Sequence, residues 1–79
     1  MGKTFRASFG QRVRELRHGL GESQEAFADR CGFARSYMSR IERGQGNPSL
    51  DAIETLASAL GVGAGQLFDW HVAGRRRKG

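Results

Sequence analysis

The chain has only one cysteine, Cys31, among its 79 residues. A single thiol cannot form an intrachain disulfide or a zinc site built from several cysteines, so we interpret Cys31 as a small core residue. The sequence also has no apolar run approaching the roughly 20 residues that span a membrane, and its N-terminus lacks the apolar stretch of a signal peptide. We therefore expect a cytoplasmic protein without a membrane partner.

Residues for catalysis or for metal binding are equally scarce. The two histidines, His18 and His71, are 53 positions apart and have no Cys or His neighbour at ligand spacing. No Ser–His–Asp set is suggested by the pattern, and no glycine-rich phosphate loop follows a strand. We therefore predict that the protein is not an enzyme and holds neither a metal nor a cofactor.

The basic residues are concentrated in two parts of the chain. Residues 1–47 hold nine Lys or Arg and five acidic residues, residues 48–74 hold three acidic residues and no Lys or Arg, and residues 75–79 hold four basic residues. The resulting charges of +4, −3 and +4 account for the net charge of +5. A polyanion would meet the first part, whereas the acidic part is suited to pack on protein.

The length predicts one small domain, and the apolar spacing predicts helices without strands or repeats. We expect a flexible arm over residues 1–7, a domain over residues 8–72 and a disordered basic tail over residues 73–79.

A capping box at Ser8 begins the first helix, and Ser49 caps the fourth. A short fifth helix is predicted near residues 66–70. The apolar stripes of the first and fourth helices are Phe9, Val13, Leu16 and Leu20, and Leu50, Ile53, Leu56, Ala57 and Leu60.

Residues 23–44 hold the most informative pattern, which is that of two short amphipathic helices joined by a tight turn. Ser23 is a good N-cap for the first of them, and Gly32 suits a turn that needs a positive φ. The apolar pairs that give each helix a buried face are Phe27 with Cys31 and Met38 with Ile41. The pattern predicts a helix-turn-helix, in which the second helix enters the major groove of DNA.

Several short motifs carry a family likeness: Ser23-Gln24, Ser39-Arg40-Ile41-Glu42-Arg43-Gly44, Asn47-Pro48-Ser49-Leu50 and Ala57-Ser58-Ala59-Leu60-Gly61-Val62. With them the chain resembles the Cro-like phage-repressor family over roughly residues 8–69. The resemblance implies an all-α fold, a compact five-helix lambda-repressor-like DNA-binding domain. Within the family, residues 35–44 are similar to those of the controller proteins of restriction-modification systems.

The chain departs from the family pattern in three places. Glu22 stands where the family has an apolar residue that would staple onto Phe27. Ala34 stands where helix 3 has a Ser or Thr cap, a loss of about 1 kcal/mol. Gly63 stands at the usual cap of helix 5. None of these three residues is a predicted DNA contact. Because they weaken the starts of helices, we expect the stability of the domain to be modest.

The predicted recognition helix offers the candidate base contacts, which are Arg35, Ser36, Ser39 and Arg40. Arginine can donate two hydrogen bonds to guanine. The alternative interpretation of these four residues is a solvated basic face. The candidate phosphate contacts are Gln24, Arg43, Tyr37 and Arg14. Tyr37 could instead pack against the end of helix 2, and Arg14 could lie on a solvated face. The run Arg75-Arg76-Arg77-Lys78 is either a solvated tail or a salt-sensitive phosphate contact.

The resemblance also implies an ion pair between Arg17 and Glu42 that would fix the angle of the recognition helix. One recognition helix contacts few base pairs, so we predict a homodimer on a roughly palindromic operator. The candidate interface residues are Trp70, Phe68 and Val62, in the part of the chain without basic residues.

The predicted function is therefore sequence-specific binding of double-stranded DNA by a transcriptional regulator. Bound over a promoter, such a protein would block or recruit RNA polymerase. The alternative is an antitoxin-like protein-interaction module that binds DNA secondarily.

Overall fold

The structure is a computed structural model that describes residues 4–70. These residues form four α-helices and one 3-10 helix, and no strand occurs among them. The helices are α1 (Phe5–Gly19), α2 (Gln24–Cys31), α3 (Arg35–Glu42) and α4 (Leu50–Leu60), followed by the 3-10 helix (Ala64–Phe68). The all-α class is confirmed, but the fifth element is not an α-helix. Predictions about residues 1–3, His71 and the basic tail lie outside the described residues.

Helix α1 begins earlier than the capping box at Ser8 predicted. The Thr4 Oγ1 atom accepts a hydrogen bond from the Ala7 amide at 3.0 Å, which makes Thr4 the N-cap. The Ser8 amide already donates to the Thr4 carbonyl, so Ser8 lies inside the helix. The prediction that the helix begins at Ser8 was wrong. At the other end Leu20 is the C-cap, and because the helix has ended there, Leu20 is exposed rather than part of the apolar stripe.

The predicted turn between α2 and α3 is present. The Ser23 Oγ atom caps α2 by accepting from the Ala26 amide at 3.0 Å. Gly32 ends α2 with φ +74°, in the left-handed region that favours glycine. Ala34 is the N-cap of α3 and makes no side-chain hydrogen bond, in agreement with the missing cap predicted from the sequence.

Helix α4 begins at the predicted cap, where the Ser49 Oγ atom accepts from the Ala52 amide at 3.1 Å. Leu50 was predicted to join the apolar stripe of α4, but it is 84% exposed. It is the first residue of the helix, and the first buried residue of α4 is Ala52. The buried residues of α4 are Ala52, Leu56, Ala57 and Leu60, and the predicted Ile53 packs half-buried against the core.

The fifth element is a single short 3-10 helix because its sequence disfavours a longer α-helix. Gly63 and Gly65 each lower helix propensity by about 1 kcal/mol relative to Ala, and 3-10 geometry is common in such short connectors. Its start is closed when the Gly63 amide donates to the Gln66 Oε1 atom at 2.8 Å.

One core joins all five elements. Leu67 of the 3-10 helix is fully buried and anchors this element in the core. Burying one such side chain stabilises the fold by about 1.5–3 kcal/mol. The buried cluster is Phe9, Val13, Phe27, Ala28, Met38, Ile41, Leu56, Ala57, Leu60 and Leu67.

Candidate nucleic-acid interface

Helix α3 buries one face and presents the other to solvent. Met38 and Ile41 are buried in the core. The four predicted base-contacting residues lie on the opposite side, where Ser39 is half-buried and Arg35, Ser36 and Arg40 are exposed. The spacing of 35, 36, 39 and 40 places all four on one helical face. The structure therefore brings them together as an outward ridge with two guanidinium groups and two hydroxyls.

Arg43 follows at the C-cap of α3 and is exposed. Its Nε atom donates to the Ser39 carbonyl at 3.3 Å, which draws the side chain back along its own helix. The guanidinium keeps four further N–H donors. Arg43 thus extends the positive charge of the ridge by one helical turn.

The ring of Tyr37 packs rather than projecting freely. It is half-buried and meets Phe33 edge to face, with ring centroids 5.0 Å apart. Phe33 lies in the turn between α2 and α3, so this pair fills the inner side of the turn. Of the two roles weighed for Tyr37, the packing role matches its position, and a phosphate contact through its hydroxyl stays a prediction.

Arg17 of α1 and Glu42 of α3 form a buried ion pair with two parallel hydrogen bonds. The Arg17 Nε atom lies 2.8 Å from Glu42 Oε2, and Arg17 Nη2 lies 2.8 Å from Glu42 Oε1. The hydrogen bond to Glu42 raises the pKa of the Arg17 guanidinium. Arg17 Nη1 also donates to the Glu22 carbonyl at 2.9 Å, so the same guanidinium holds the loop before α2.

Gln24 joins this pair from the start of α2. Its Nε2 atom donates to Glu42 Oε1 at 3.1 Å. One carboxylate thereby ties together the first residue of α2, the last residue of α3 and the last turn of α1. An amide nitrogen has two hydrogens, so the second one is available for a phosphate at the N-terminus of α2, where free backbone N–H groups already favour an anion.

Close backbone contact between α1 and the end of α3 positions the ridge further. A Cβ on Gly10 would collide with the Ile41 carbonyl oxygen and approach the Glu42 carbonyl oxygen to 2.7 Å. A Cβ on Gly44, which has φ +75°, would lie 2.6 Å from the Ala7 Cα atom. Ala7, Gly10 and Arg17 recur at helical spacing, and the exposed Arg14 belongs to this same row. The row places Arg14 beside the C-terminal half of α3.

Glu22 takes a different role from the apolar staple that it replaces. Its carboxylate accepts from Arg30 Nε at 2.8 Å and from Arg30 Nη2 at 2.7 Å. Arg30 Nη2 also donates to the Ala59 carbonyl at 2.8 Å, which links α2 to the end of α4. The hydrogen bonds from Arg30 lower the pKa of Glu22. An ion pair therefore fixes the start of α2, a solution that the apolar pattern could not predict.

A patch of aromatic side chains lies where the start of α1 meets the 3-10 helix. We call Phe5, Phe68 and Trp70 the aromatic patch. Phe5 lies 5.8 Å from Phe68 and 5.1 Å from Trp70 between ring centroids, and Phe68 also stacks on the buried Phe9 at 5.1 Å. Phe5 is 65% exposed and Phe68 is 37% exposed.

The patch contains two of the three predicted interface residues, Phe68 and Trp70. The third, Val62, is half-buried and packs against the core. Phe5 was missed because the sequence placed it in the flexible arm. Its spacing of four from Phe9 continues the apolar stripe of α1 toward the N-terminus and was the available signal.

Other chemistry is not assembled in residues 4–70. No three His, Cys, Asp or Glu side chains of this part are grouped so that they could hold a metal ion. Burial raises the pKa of the Cys31 thiol, which is the opposite of an activated nucleophile. Among the helices of residues 4–70, none has both the length and the apolarity that crossing a membrane requires.

Comparison with known proteins gives concordant matches. A sequence family described as a helix-turn-helix domain matches residues 8–70. The chain is 44% identical over 75 residues to the control protein C.BamHI of Bacillus amyloliquefaciens, and the alignment covers 94% of this chain and 93% of that protein.

Two crystal structures match with similar coverage. The restriction-modification controller protein C.AhdI from Aeromonas hydrophila superimposes with a TM-score of 0.76 at 50% identity, over 78% of this chain and 94% of that one. The master regulator for biofilm formation SinR, solved in complex with DNA, superimposes with a TM-score of 0.73 at 39% identity, over 77% of this chain and 98% of that one.

Proposed function

The chain belongs to the helix-turn-helix family of DNA-binding transcriptional regulators, and from this premise we propose that it binds a roughly palindromic operator as a homodimer and controls restriction-modification genes. This role is supported by the sequence similarity of the chain to the control protein C.BamHI and to the restriction-modification controller protein C.AhdI. The same similarity favours the controller function over the antitoxin-like alternative.

The observation that carries the proposal is the outward ridge of α3. Arg35 and Arg40 are exposed on the face opposite the buried Met38 and Ile41. An arginine in the major groove can donate two hydrogen bonds to the O6 and N7 atoms of guanine, which contributes about 1–3 kcal/mol of discrimination. Ser36 and Ser39 lie between the arginines on this face and add short donors and acceptors for neighbouring base edges.

Phosphate contacts would fix the register of the ridge in the groove. Gln24, Arg43 and Arg14 lie on three different segments of the chain, all near the C-terminal half of α3. Contacts to phosphate are blind to sequence but fix the orientation of the protein on the duplex. We propose this positioning role for the three side chains, with Tyr37 contributing its hydroxyl from the packed ring.

A homodimer follows from the small size of one recognition helix. Two copies related by a two-fold axis would place their α3 ridges in successive major grooves, about 34–36 Å apart. The proposed interface includes Trp70, Phe68 and Val62, on the part of the chain that carries acidic but no basic residues between 48 and 70. Phosphate repulsion keeps such a part away from DNA, which leaves it free for the second copy.

Bound in this way over a promoter, the dimer would act on transcription by changing the access of RNA polymerase. The chain offers no second domain between residues 4 and 70 for an inducer, so the concentration of the dimer is the simplest control variable. Because dimer and operator binding are linked by mass action, occupancy would rise steeply with protein concentration.

Selection of binding sites from a random pool of duplex DNA tests the proposal directly. The expected result is a site with two inverted half-sites whose centres lie one helical turn apart. A selected site without any symmetry contradicts the homodimer, and a pool that shows no enrichment contradicts sequence-specific binding.

Variants of the ridge then assign the contacts. We expect Arg35→Ala and Arg40→Ala each to weaken binding to the selected site by about 1–3 kcal/mol and to relax the preference at one base pair per half-site. Arg35→Lys is the matched control, because it keeps the charge but loses the two-pronged hydrogen bonding. Unchanged base preference in both alanine variants would overturn the assignment of α3 as the recognition helix.

A further inference from the structure

Helix α1 lies between the two surfaces that the proposed function needs. One of its sides holds Phe5 and Phe9 against Phe68 and Trp70. The other side holds the end of α3 through backbone contact and through the Arg17–Glu42 pair.

On the patch side, α1 is fastened to the 3-10 helix by polar as well as aromatic contacts. The Arg12 Nε atom donates to the Gln66 carbonyl at 2.9 Å. Phe5, about two turns before Arg12 on the helix, adds a stacked contact to Phe68 and an edge contact to Trp70. Yet Phe5 itself is 65% exposed, so only one side of its ring is covered within residues 4–70.

On the opposite side, the first turns of α1 support the loop that ends α3. Ala7 lies so close to Gly44 that no side chain fits between them, and Gly10 lies against the carbonyl groups of Ile41 and Glu42. The loop itself is held by amides that donate back to α3, namely Gly44 to Ile41 and both Gln45 and Gly46 to Arg40. Movement of the first turn of α1 is therefore transmitted to the residues directly after Arg43.

We infer that the second copy of the chain packs on the aromatic patch including Phe5, and that this packing fixes the first turn of α1 and through it the end of the recognition helix. Dimer formation then does more than bring two α3 ridges together, because it also fixes the end of each recognition helix before DNA binds. The inference rests on the homodimer of the proposed function and adds the path by which its interface acts on its DNA-binding surface.

The charges beside the patch favour a second copy as its occupant. Arg6 follows Phe5 in the sequence, and Asp69 separates Phe68 from Trp70; both are exposed. A surface that carries one charge of each sign at its edge can pair with an identical surface across a two-fold axis. A basic partner such as a polymerase surface, or a nucleic acid, would meet one matching and one opposing charge there.

Reciprocity makes the inference measurable without DNA. If dimer formation stabilises the end of α3, the same free energy must make opening of the loop less favourable in the dimer, which slows hydrogen exchange there. Hydrogen exchange of single amides reports that opening. The informative amides are those of Gly44, Gln45 and Gly46. The internal control is the amide of Phe33 in the turn between α2 and α3, which donates to the Ala28 carbonyl at 2.9 Å.

The experiment measures this exchange by NMR across a range of protein concentrations, with the association state followed in parallel by analytical ultracentrifugation. We expect exchange at Gly44 to Gly46 to slow at least threefold as the dimer forms, while exchange at Phe33 changes much less. A protein that stays monomeric throughout contradicts the homodimer of the proposed function. A dimer whose loop exchanges at the monomer rate overturns this inference alone.

Two variants separate the path from dimer formation in general. Trp70→Ala and Phe5→Ala both remove one ring of the patch, and both are expected to raise the concentration needed for the dimer. Once dimeric, Trp70→Ala should still slow the loop, because Phe5 remains in contact, whereas Phe5→Ala should lose most of the slowing. Equal slowing in both dimers would overturn the path through α1. Phe5→Leu keeps an apolar side chain at the position and gives the same comparison if Phe5→Ala unfolds.

Discussion

Gly10 of α1 lies directly against the carbonyl oxygen of Ile41 in α3. A Cβ at this position would collide with that oxygen and would also lie 2.7 Å from the Glu42 carbonyl oxygen. The two helices therefore approach each other as closely as a backbone without a side chain allows. This contact sets how far the outward face of α3 stands from the rest of the domain.

We expect Gly10→Ala to destabilise the domain by about 1–3 kcal/mol, because the added methyl group must push α1 away from the end of α3. Gly19→Ala is the matched control in the same helix, since a Cβ there meets nothing within 4 Å. The control should be neutral or stabilise the domain by up to about 1 kcal/mol. Chemical denaturation of both variants measures the difference, and equal effects would contradict the close contact.

The buried ion pair of Arg17 and Glu42 supports a second prediction, which concerns the free energy of unfolding. We expect Arg17→Met to lower the free energy of unfolding by about 3–5 kcal/mol, because it leaves the buried Glu42 carboxylate without its main partner. The double variant Arg17→Met/Glu42→Met should recover most of this loss, since two apolar side chains of similar volume can pack where the ions were. A double variant as unstable as the single one would contradict the explanation that the loss comes from the unpaired Glu42 carboxylate.

The sequence predicted the elements that depend on local chemistry. Ser23, Gly32 and Ser49 mark helix boundaries through capping and φ preferences that act within a few residues, and each boundary is found in place. The start of α1 was missed because both Thr4 and Ser8 can cap a helix, and the choice between them depends on how far α1 packs on the 3-10 helix.

The contacts that position the ridge depend on tertiary structure and could be predicted only in part. The pairing of Arg17 with Glu42 came from a family resemblance, because no rule of spacing brings residues on different helices together. The hydrogen bond from Gln24 to Glu42 and the contact of Gly10 with Ile41 were not predicted. A single glycine in a helix has the same local signal whether it faces solvent or another backbone.

Low pH should reduce the contribution of Glu22 to the stability of the domain. The hydrogen bonds from Arg30 lower the pKa of Glu22 in the folded state, so its stabilising contribution is present at neutral pH and is lost as the pH falls through the lowered pKa. We expect Glu22→Gln to be less stable than the parent chain at pH 7, with a difference that shrinks toward zero in acid. Urea denaturation across this pH range measures it, and a difference that does not change with pH would assign the effect to shape instead of charge.

Arg43 and Arg40 should respond differently to salt and sequence. As a phosphate contact, Arg43→Ala should weaken binding to all duplexes about equally and reduce the slope of log affinity against log salt by about 1 for each protomer. Arg40→Ala should weaken binding mainly to the selected operator. Binding isotherms at several salt concentrations, on the operator and on a scrambled duplex, separate the two roles. An Arg43→Ala variant that changes base preference would move Arg43 into the base-reading set.

Restoring the missing cap of α3 should stabilise the domain without disturbing the ridge. Ala34 is exposed and has φ −65° and ψ 145°, the extended conformation of an N-cap, but no side-chain oxygen to accept from the first turn. Ala34→Ser supplies that oxygen and should raise the free energy of unfolding by about 1 kcal/mol. Ala34→Val is the matched control, because it changes the same exposed residue but adds no oxygen that could cap the helix. Thermal denaturation measures both variants, and an equal gain in stability from serine and valine would show that capping is not its cause.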